Sequence, residues 1–581
     1  MHFFDTLQAR IIGFIDTLQA RMHCIRALDM IEWETHPETE RIEIMKTVYH
    51  NAAVYTGKLP LVQAFAVQDG RFTFAGTDAE ALARLEEGDT AVDLGGAFVC
   101  AGFIDSHMHL LNYGHSLRIA QLAKHCGSRK QMLAYLAANP LGRGGWILGR
   151  GWNQDFFSDG NHMPTRWELD TVSETKPICI IRSCGHALSV NSKALTMLGI
   201  TADTPQPEGG EIVLENGVPN GVFLDNAMDL ITTAIPSPSK EELKQMLRSG
   251  CRALNAYGIT SIHSDDYPTF SDVSWQEINA AYRELEQAGE LTVRVYEQSN
   301  FPDLAALKEF VEAGNVTGAG SPRFRIGPLK MVGDGALGAR TALLSRPYAD
   351  DPGNRGLSVY TQEEFDAMIG YANSHGMQAA VHAIGDTCLD MVLNSIQKAM
   401  AEHPRKDPRH GIVHCQITRP DQLDTIAALG LHVYAQSIFL DYDIHIVEQR
   451  AGRELAQSSY RWKTLMDRGV TVSNGSDCPV ELPRVLAGIQ CAVTRTDLRS
   501  SVPPYHPEEK FTVQQALDSF TSSGAHASFE ETLKGRIQPG MQADFVILGE
   551  NPFTADPRRI QDIPVLATFL EGQAVYHREN P

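Results

Sequence analysis

The rhythm of hydrophobic and polar positions changes twice along the chain. From Met45 the apolar runs are short and β-like: Thr47-Val48-Tyr49, Ala53-Val54-Tyr55-Thr56, Ala64-Phe65-Ala66-Val67 and Arg71-Phe72-Thr73-Phe74-Ala75. Asp69-Gly70 between the last two is a hairpin turn signal. The same texture returns at 543–548, 564–570 and 573–576. Two β-rich ends around a different middle predict one small composite β-sandwich, built from residues 45–100 and 530–581.

The middle alternates apolar strands with helix-length segments, the pattern of a parallel α/β sheet. Strands are expected at 98–105, 259–263, 291–296, 324–332, 378–382, 411–414, 431–435 and 470–473. Eight such units favour a closed (β/α)8 TIM barrel over 101–529. The gap between the first two strands is far longer than one helix needs. It predicts a large insertion after strand 1, at about 115–245, packed over the barrel mouth. At the N-terminus Phe3-Phe4-Asp5-Thr6-Leu7-Gln8-Ala9-Arg10 returns as Phe14-Ile15-Asp16-Thr17-Leu18-Gln19-Ala20-Arg21, with apolar residues at helical spacing. Residues 1–44 read as an appendage, flexible or helical, or as the product of an upstream start.

Composition narrows the setting. The 71 acidic residues against 50 basic ones leave a net charge of −21, which argues against nucleic acid or an anionic membrane as partner. No stretch approaches the roughly 18 apolar residues of a membrane span. The ten cysteines are scattered and form no Cys-x-x-Cys pair, so buried reduced thiols in a cytoplasmic protein are expected. No signal peptide is visible. The expected partner is a small molecule, with a homodimer as a possible assembly.

Barrels of this kind carry function at the C-terminal ends of their strands. Those ends supply His107-Met108-His109, Lys330, His382, His414 and Asp477. His-x-His after a strand sets two imidazoles on one side of an extended backbone, where both reach one ion. One strand-end histidine is ordinarily structural; the joint pattern is that of a metal site. Lys330 has two readings. It snorkels to water, or it is a neutral amine that reacts with carbon dioxide to give a carbamate able to bridge two cations.

These residues also carry a resemblance. Ala101-Gly102-Phe103-Ile104-Asp105-Ser106-His107-Met108-His109 resembles the first-strand signature of the amidohydrolase superfamily. The segments 330–342, 381–386 (Val381-His382-Ala383-Ile384-Gly385-Asp386) and 475–480 (Gly475-Ser476-Asp477-Cys478-Pro479-Val480) resemble its third amidohydrolase family. That is the YtcJ-like group, which includes N-substituted formamide deformylases. The resemblance, over roughly 46–581, implies a metal-dependent barrel with one or two divalent ions, zinc first. It implies His107 and His109 on one metal, His382 and His414 on the other, a carbamate on Lys330 bridging them, and Asp477 as ligand and proton shuttle. Where many members have Glu before the sixth-strand His, this chain has Val413, which strand alternation points away from His414.

The insertion matches the group at 145–153 and 184–192, which makes His186, Trp152 and Trp146 candidate substrate contacts. Arg340 is a further candidate, while Asp334, Thr341 and Asp386 suit orientation of ligands. Cys415 and Cys478 read as packing residues. The expected activity is metal-assisted hydrolysis of a non-peptide, formamide-like C–N bond by Asp477-assisted water. Deamination, cyclic-amide hydrolysis and a non-catalytic regulatory role are the alternatives.

Overall fold

The computed structural model describes residues 45–579; the appendage expected at 1–44 lies outside the described residues. Eight parallel strands form its centre: β1 (Phe103–Met108), β2 (Ile259–Ser264), β3 (Arg294–Asn300), β4 (Phe324–Val332), β5 (Ala379–Ala383), β6 (Gly411–His414), β7 (His432–Ala435) and β8 (Val472–Asn474). Each pairs with the next in chain order. The seam between β8 and β1 is drawn together by Asp477 N–H, which donates to His107 O at 2.8 Å. There too, Asp105 accepts from Ser476 N at 3.0 Å and from Ser476 Oγ at 2.5 Å. The mixed α/β barrel expected from the alternation is present.

The first strand differs from its expected form. The run at 98–105 is two strands, broken at Gly102, where a Cβ would lie 2.3 Å from Thr260 Oγ1. Phe98–Ala101 pairs with Phe545–Leu548, and the chain enters the barrel only at Phe103. His107 is therefore inside β1, and only His109 follows it. An unbroken apolar run hides such a change of sheet, since both halves are buried.

Helices separate the strands and are stopped by local signals. Ser239, Ser274 and Thr361 form capping boxes with Glu242, Glu277 and Glu364, satisfying free N–H groups at the starts of Lys240–Ala256, Trp275–Gln287 and Gln362–Ser374. Helix Ser522–Ala527 reaches the lower barrel interior, where Ala527 packs with Ala380, Val413 and Tyr434.

Between β1 and β2, six strands within 120–225 form a separate sheet with its own apolar clusters. The segment meets the barrel where Arg143 stacks over Phe270, 5.0 Å from the ring centroid. The two chain ends contribute two further sheets. Arg71–Gly76, Ala64–Gln68, Thr47–His50 and Thr90–Asp93 form one; Ala53–Val54, Phe98–Ala101, Phe545–Leu548, Val565–Leu570 and Gln573–His577 form the other. Asp69 and Gly70 take φ of 51° and 68°, the left-handed turn their sequence invites. Tyr49, Phe65, Phe545 and Phe569 meet between the sheets, Phe545 on Phe569 at 4.3 Å and Phe65 on Phe545 at 5.0 Å. Among the described residues no helix is long and apolar enough to cross a membrane.

Candidate metal centre

Strand geometry brings the histidines and Asp477 to one end of the barrel. The His107 ring lies 5.4 Å from His109 and 5.6 Å from His414, and His414 lies 4.4 Å from His382. His107, His414 and Asp477 offer ligand atoms that all lie within 4.8 Å of one another, and all three are buried. Lys330 is 1% exposed, its Nζ 3.7 Å from Asp265 Oδ2.

Each imidazole has one nitrogen engaged away from the centre. His107 Nδ1 meets Gln298 Oε1 at 2.6 Å, and Gln298 Nε2 donates to Ser106 O, which fixes the amide so that the ring must donate. His109 Nδ1 donates to Asp265 O at 2.8 Å. His414 Nδ1 donates to Gln436 Oε1 at 2.7 Å, the amide being held by Tyr434 O. These three rings turn Nε2 inward. His382 is reversed, with Nε2 on Gly335 O at 3.2 Å and Asp334 Oδ1 at 3.3 Å, so Nδ1 is its free nitrogen. Such partners select the tautomer that a metal ligand requires.

This arrangement fits a divalent cation. Asp477 Oδ1 sits 3.3 Å from His107 Nε2 and 3.1 Å from His109 Nε2. With both Nδ1 protons committed elsewhere, three lone pairs face each other, and a cation or extra protons must lie among them. Burial holds His107 and His414 below the usual imidazole range, so both are neutral near pH 7. Burial acts to raise the Asp477 carboxyl, yet the two imidazoles hold it well below the usual carboxylate range.

The backbone at the centre is unusual. His414, Cys415 and Asp477 take φ of 74°, 51° and 57°, left-handed values that non-glycine residues seldom adopt. Here the alternation expected for Val413 fails. Val413 packs inside the barrel with Ala380 and Tyr434, while His414 next to it also reaches the inner rings. The left-handed turn at His414 breaks the pleat that would set neighbours on opposite faces.

Asp105, Gln298 and Gln436 have roles here that strand-end reading missed, while Asp334, already singled out for orienting ligands, lies 3.3 Å from His382 Nε2. Asp105 clamps Ser476 beside Asp477, and Asp334 accepts from Ile384 N, Gly385 N and Leu343 N at 2.8–3.0 Å, bracing the loop behind His382. Gln298 lies inside β3, two residues before its end, and Gln436 just past the end of β7, so position marks only the second. Of the other residues singled out, Asp386 accepts from Ser345 N at 2.9 Å and Arg419 at 3.1 Å, and Thr341 Oγ1 accepts from Ala336 N at 3.0 Å.

The residues expected to contact substrate have the following surroundings. Trp152 is fully enclosed within the insertion and its indole N–H donates to Ile180 O at 3.1 Å, which makes it a packing residue; Trp146 is buried in the neighbouring cluster. His186 is on the surface, its side chain 78% exposed and 3.2 Å from Asp225 Oδ1. Arg340 is held by Asp350 through two bonds of 3.1 and 2.9 Å. Cys415 and Cys478 are buried, which pushes the Cys415 thiol up to about 12 and Cys478 higher still, so neither is a nucleophile at neutral pH.

A family model described as an amidohydrolase family matches residues 90–576. The chain is 32% identical to YtcJ of Bacillus subtilis, an amidohydrolase by name, over 92% of this chain and 100% of that one. It is 24% identical to the N-substituted formamide deformylase of Arthrobacter pascens, over 89% of this chain and 95% of that one. A metal-dependent hydrolase of uncharacterized function from Pyrococcus furiosus superposes with a TM-score of 0.73 and 28% identity, covering 88% of this chain and 100% of the other.

Proposed function

The chain belongs to the amidohydrolase family, and from that premise we propose that it hydrolyses a non-peptide, formamide-like C–N bond in a small molecule. The observation that carries the reading is the convergence of His107, His414 and Asp477 within 4.8 Å, with His109 and His382 beside them. His107, His109, Lys330, His382, His414 and Asp477 would hold one or two divalent cations, zinc first. When bound, such a cation acidifies water to near neutrality and polarises the substrate carbonyl.

The protein's own residues supply the rest. Gln298, Gln436 and the Asp265 carbonyl orient the imidazoles, so no reorganisation is needed when a cation arrives. Asp477 accepts the proton of the attacking water and returns it to the nitrogen, because an amide anion is too poor a leaving group. Lys330, carried as a carbamate, would add an anion between the two pairs of histidines. The nine free cysteines among the described residues suit a reducing compartment, and we place the enzyme in the cytoplasm.

Metal analysis of wild type and Lys330→Ala, followed by a panel of formamides, acyl amino acids and cyclic amides, tests the reading. Close to two cations in the wild type, falling sharply in the variant, with formamide turnover is the expected result. One cation, unchanged in the variant, makes Lys330 a bystander. No metal after reconstitution sinks the hydrolase.

A further inference from the structure

Asp265, the residue after β2, touches the centre at three points. Its N–H donates to Met108 O at 2.9 Å, its carbonyl accepts from His109 Nδ1 at 2.8 Å, and its Oδ2 lies 3.7 Å from Lys330 Nζ. Asp265 is 1% exposed. Asn300, the last residue of β3, donates Nδ2 to the same Oδ2 at 3.1 Å. Oδ1 is enclosed and has no partner.

A buried carboxylate oxygen without a donor is costly, and here the deficit is one of positive charge. Among the described residues Lys330 is the one side-chain cation within 4.0 Å of Asp265, and at 3.7 Å it is beyond hydrogen-bond distance. A structural ion pair would close that gap and satisfy both oxygens. If Lys330 is carried as a carbamate, the two side chains become adjacent anions, which only a cation between them can hold. Hard carboxylate oxygen is a suitable donor for that cation.

We propose that Asp265 is a further ligand of the metal centre: its unpartnered Oδ1 binds the cation on the Lys330 side, while its main chain orients His109. The proposal rests on the metal-dependent reading above and adds a ligand to it. Substitution at Asp265 leaves the main-chain contacts to Met108 and His109 in place, so a variant isolates the carboxylate.

The full chain, stripped with chelator, is titrated with Co2+ and with Zn2+ as wild type, Asp265→Asn and Asp265→Glu, reading metal per chain, affinity and the cobalt absorption spectrum. Asp265→Asn should weaken uptake of one equivalent at least about 10-fold and alter its spectrum, with partial rescue by Asp265→Glu. Metal-free Asp265→Asn should melt close to the metal-free wild type, since the 3.7 Å approach to Lys330 is too long for a hydrogen-bonded ion pair. Unchanged stoichiometry, affinity and spectrum in Asp265→Asn overturn the ligand role. So does a large drop in its metal-free melting temperature, which would make Asp265 a structural residue. A wild type that takes up neither cation overturns the metal-dependent reading itself, and the two failures are told apart by that control.

Discussion

The six strand-end residues differ in how much of their role depends on charge and how much on placement. Asp477 combines both, touching His107 and His109 through one carboxylate oxygen. Asp477→Asn keeps a side chain of the same shape but cannot carry the proton. We expect hydrolysis to fall by roughly 10²–10⁴-fold while most of the metal is retained, as read by steady-state rates beside metal content. Asp443 gives a pH signature independent of metal. Burial pushes its carboxyl up to about 6, against hydrogen bonds from Tyr460 Oη at 2.9 Å and Gln416 Nε2 at 2.8 Å. A carboxyl raised in the folded state favours folding while it is protonated. Its contribution is complete below the usual carboxylate range, near 4, and disappears as pH climbs past about 6. The melting temperature of the wild type relative to Asp443→Asn should therefore decline between those values and level off above them. A flat difference from pH 4 to 8 would show that Asp443 titrates normally. The histidines and Lys330 were legible because imidazole and ammonium are rare at the ends of apolar strands. Gln298, Gln436 and Asp265 were not, because a polar residue in or just past a strand is commonplace until its partner is known.

Strands and helices supply the scaffold, and the strain sits where they end. β6 stops in two left-handed residues, His414 and Cys415, anchored by Trp462 Nε1, which donates to the carbonyls of both at 3.0 and 3.2 Å. Helix Asp386–Glu402 begins at Gly385, where a Cβ would stand 2.0 Å from Leu343 O. Gly385 N and Leu343 N both donate to Asp334 Oδ2 at 2.8 Å, so one carboxylate joins the helix start to the loop behind His382. Gly385→Ala should part these segments and lower stability by about 1–3 kcal/mol in chemical denaturation. Unaltered stability would mean that the loop yields without strain. Element existence was legible throughout the barrel, since eight buried apolar runs separated by helical segments have few other solutions. Their ends were less so. The division of 98–105 at Gly102 and the failed alternation at Val413 are both set by contacts with other chain segments.

At the scale of the whole molecule, an ion-pair network joins the terminal strands to the barrel. Arg294, buried at the start of β3, holds Asp544 through bonds of 2.7 and 3.2 Å and reaches Glu571 at 2.8 Å. Arg323 binds the same Glu571 at 2.6 Å. Removing the guanidinium leaves the Asp544 carboxylate buried without compensation. Arg294→Met should cost about 3–5 kcal/mol, whereas Arg294→Met with Asp544→Leu should recover much of it. Denaturant unfolding of the two variants decides whether this junction is a stabilising link.

The sequence alone determined the barrel architecture and which metal-compatible side chains gather at one end of it. Burial of apolar strands at regular spacing leaves a parallel barrel as the packing solution, and the ligand-type residues are written at the strand ends. The resemblance over roughly 46–581 pointed to the family that the match over 90–576 shows. Only the tertiary structure decided which nitrogen of each imidazole faces inward, that Arg340 is committed to Asp350, and that Trp152 lies inside the insertion. The reason is distance along the chain. His107 takes its orientation from Gln298, 191 positions away, and Asp105 clamps Ser476 across 371. Local patterns carry no record of such partners; a hydrogen bond between them exists only once the barrel has closed.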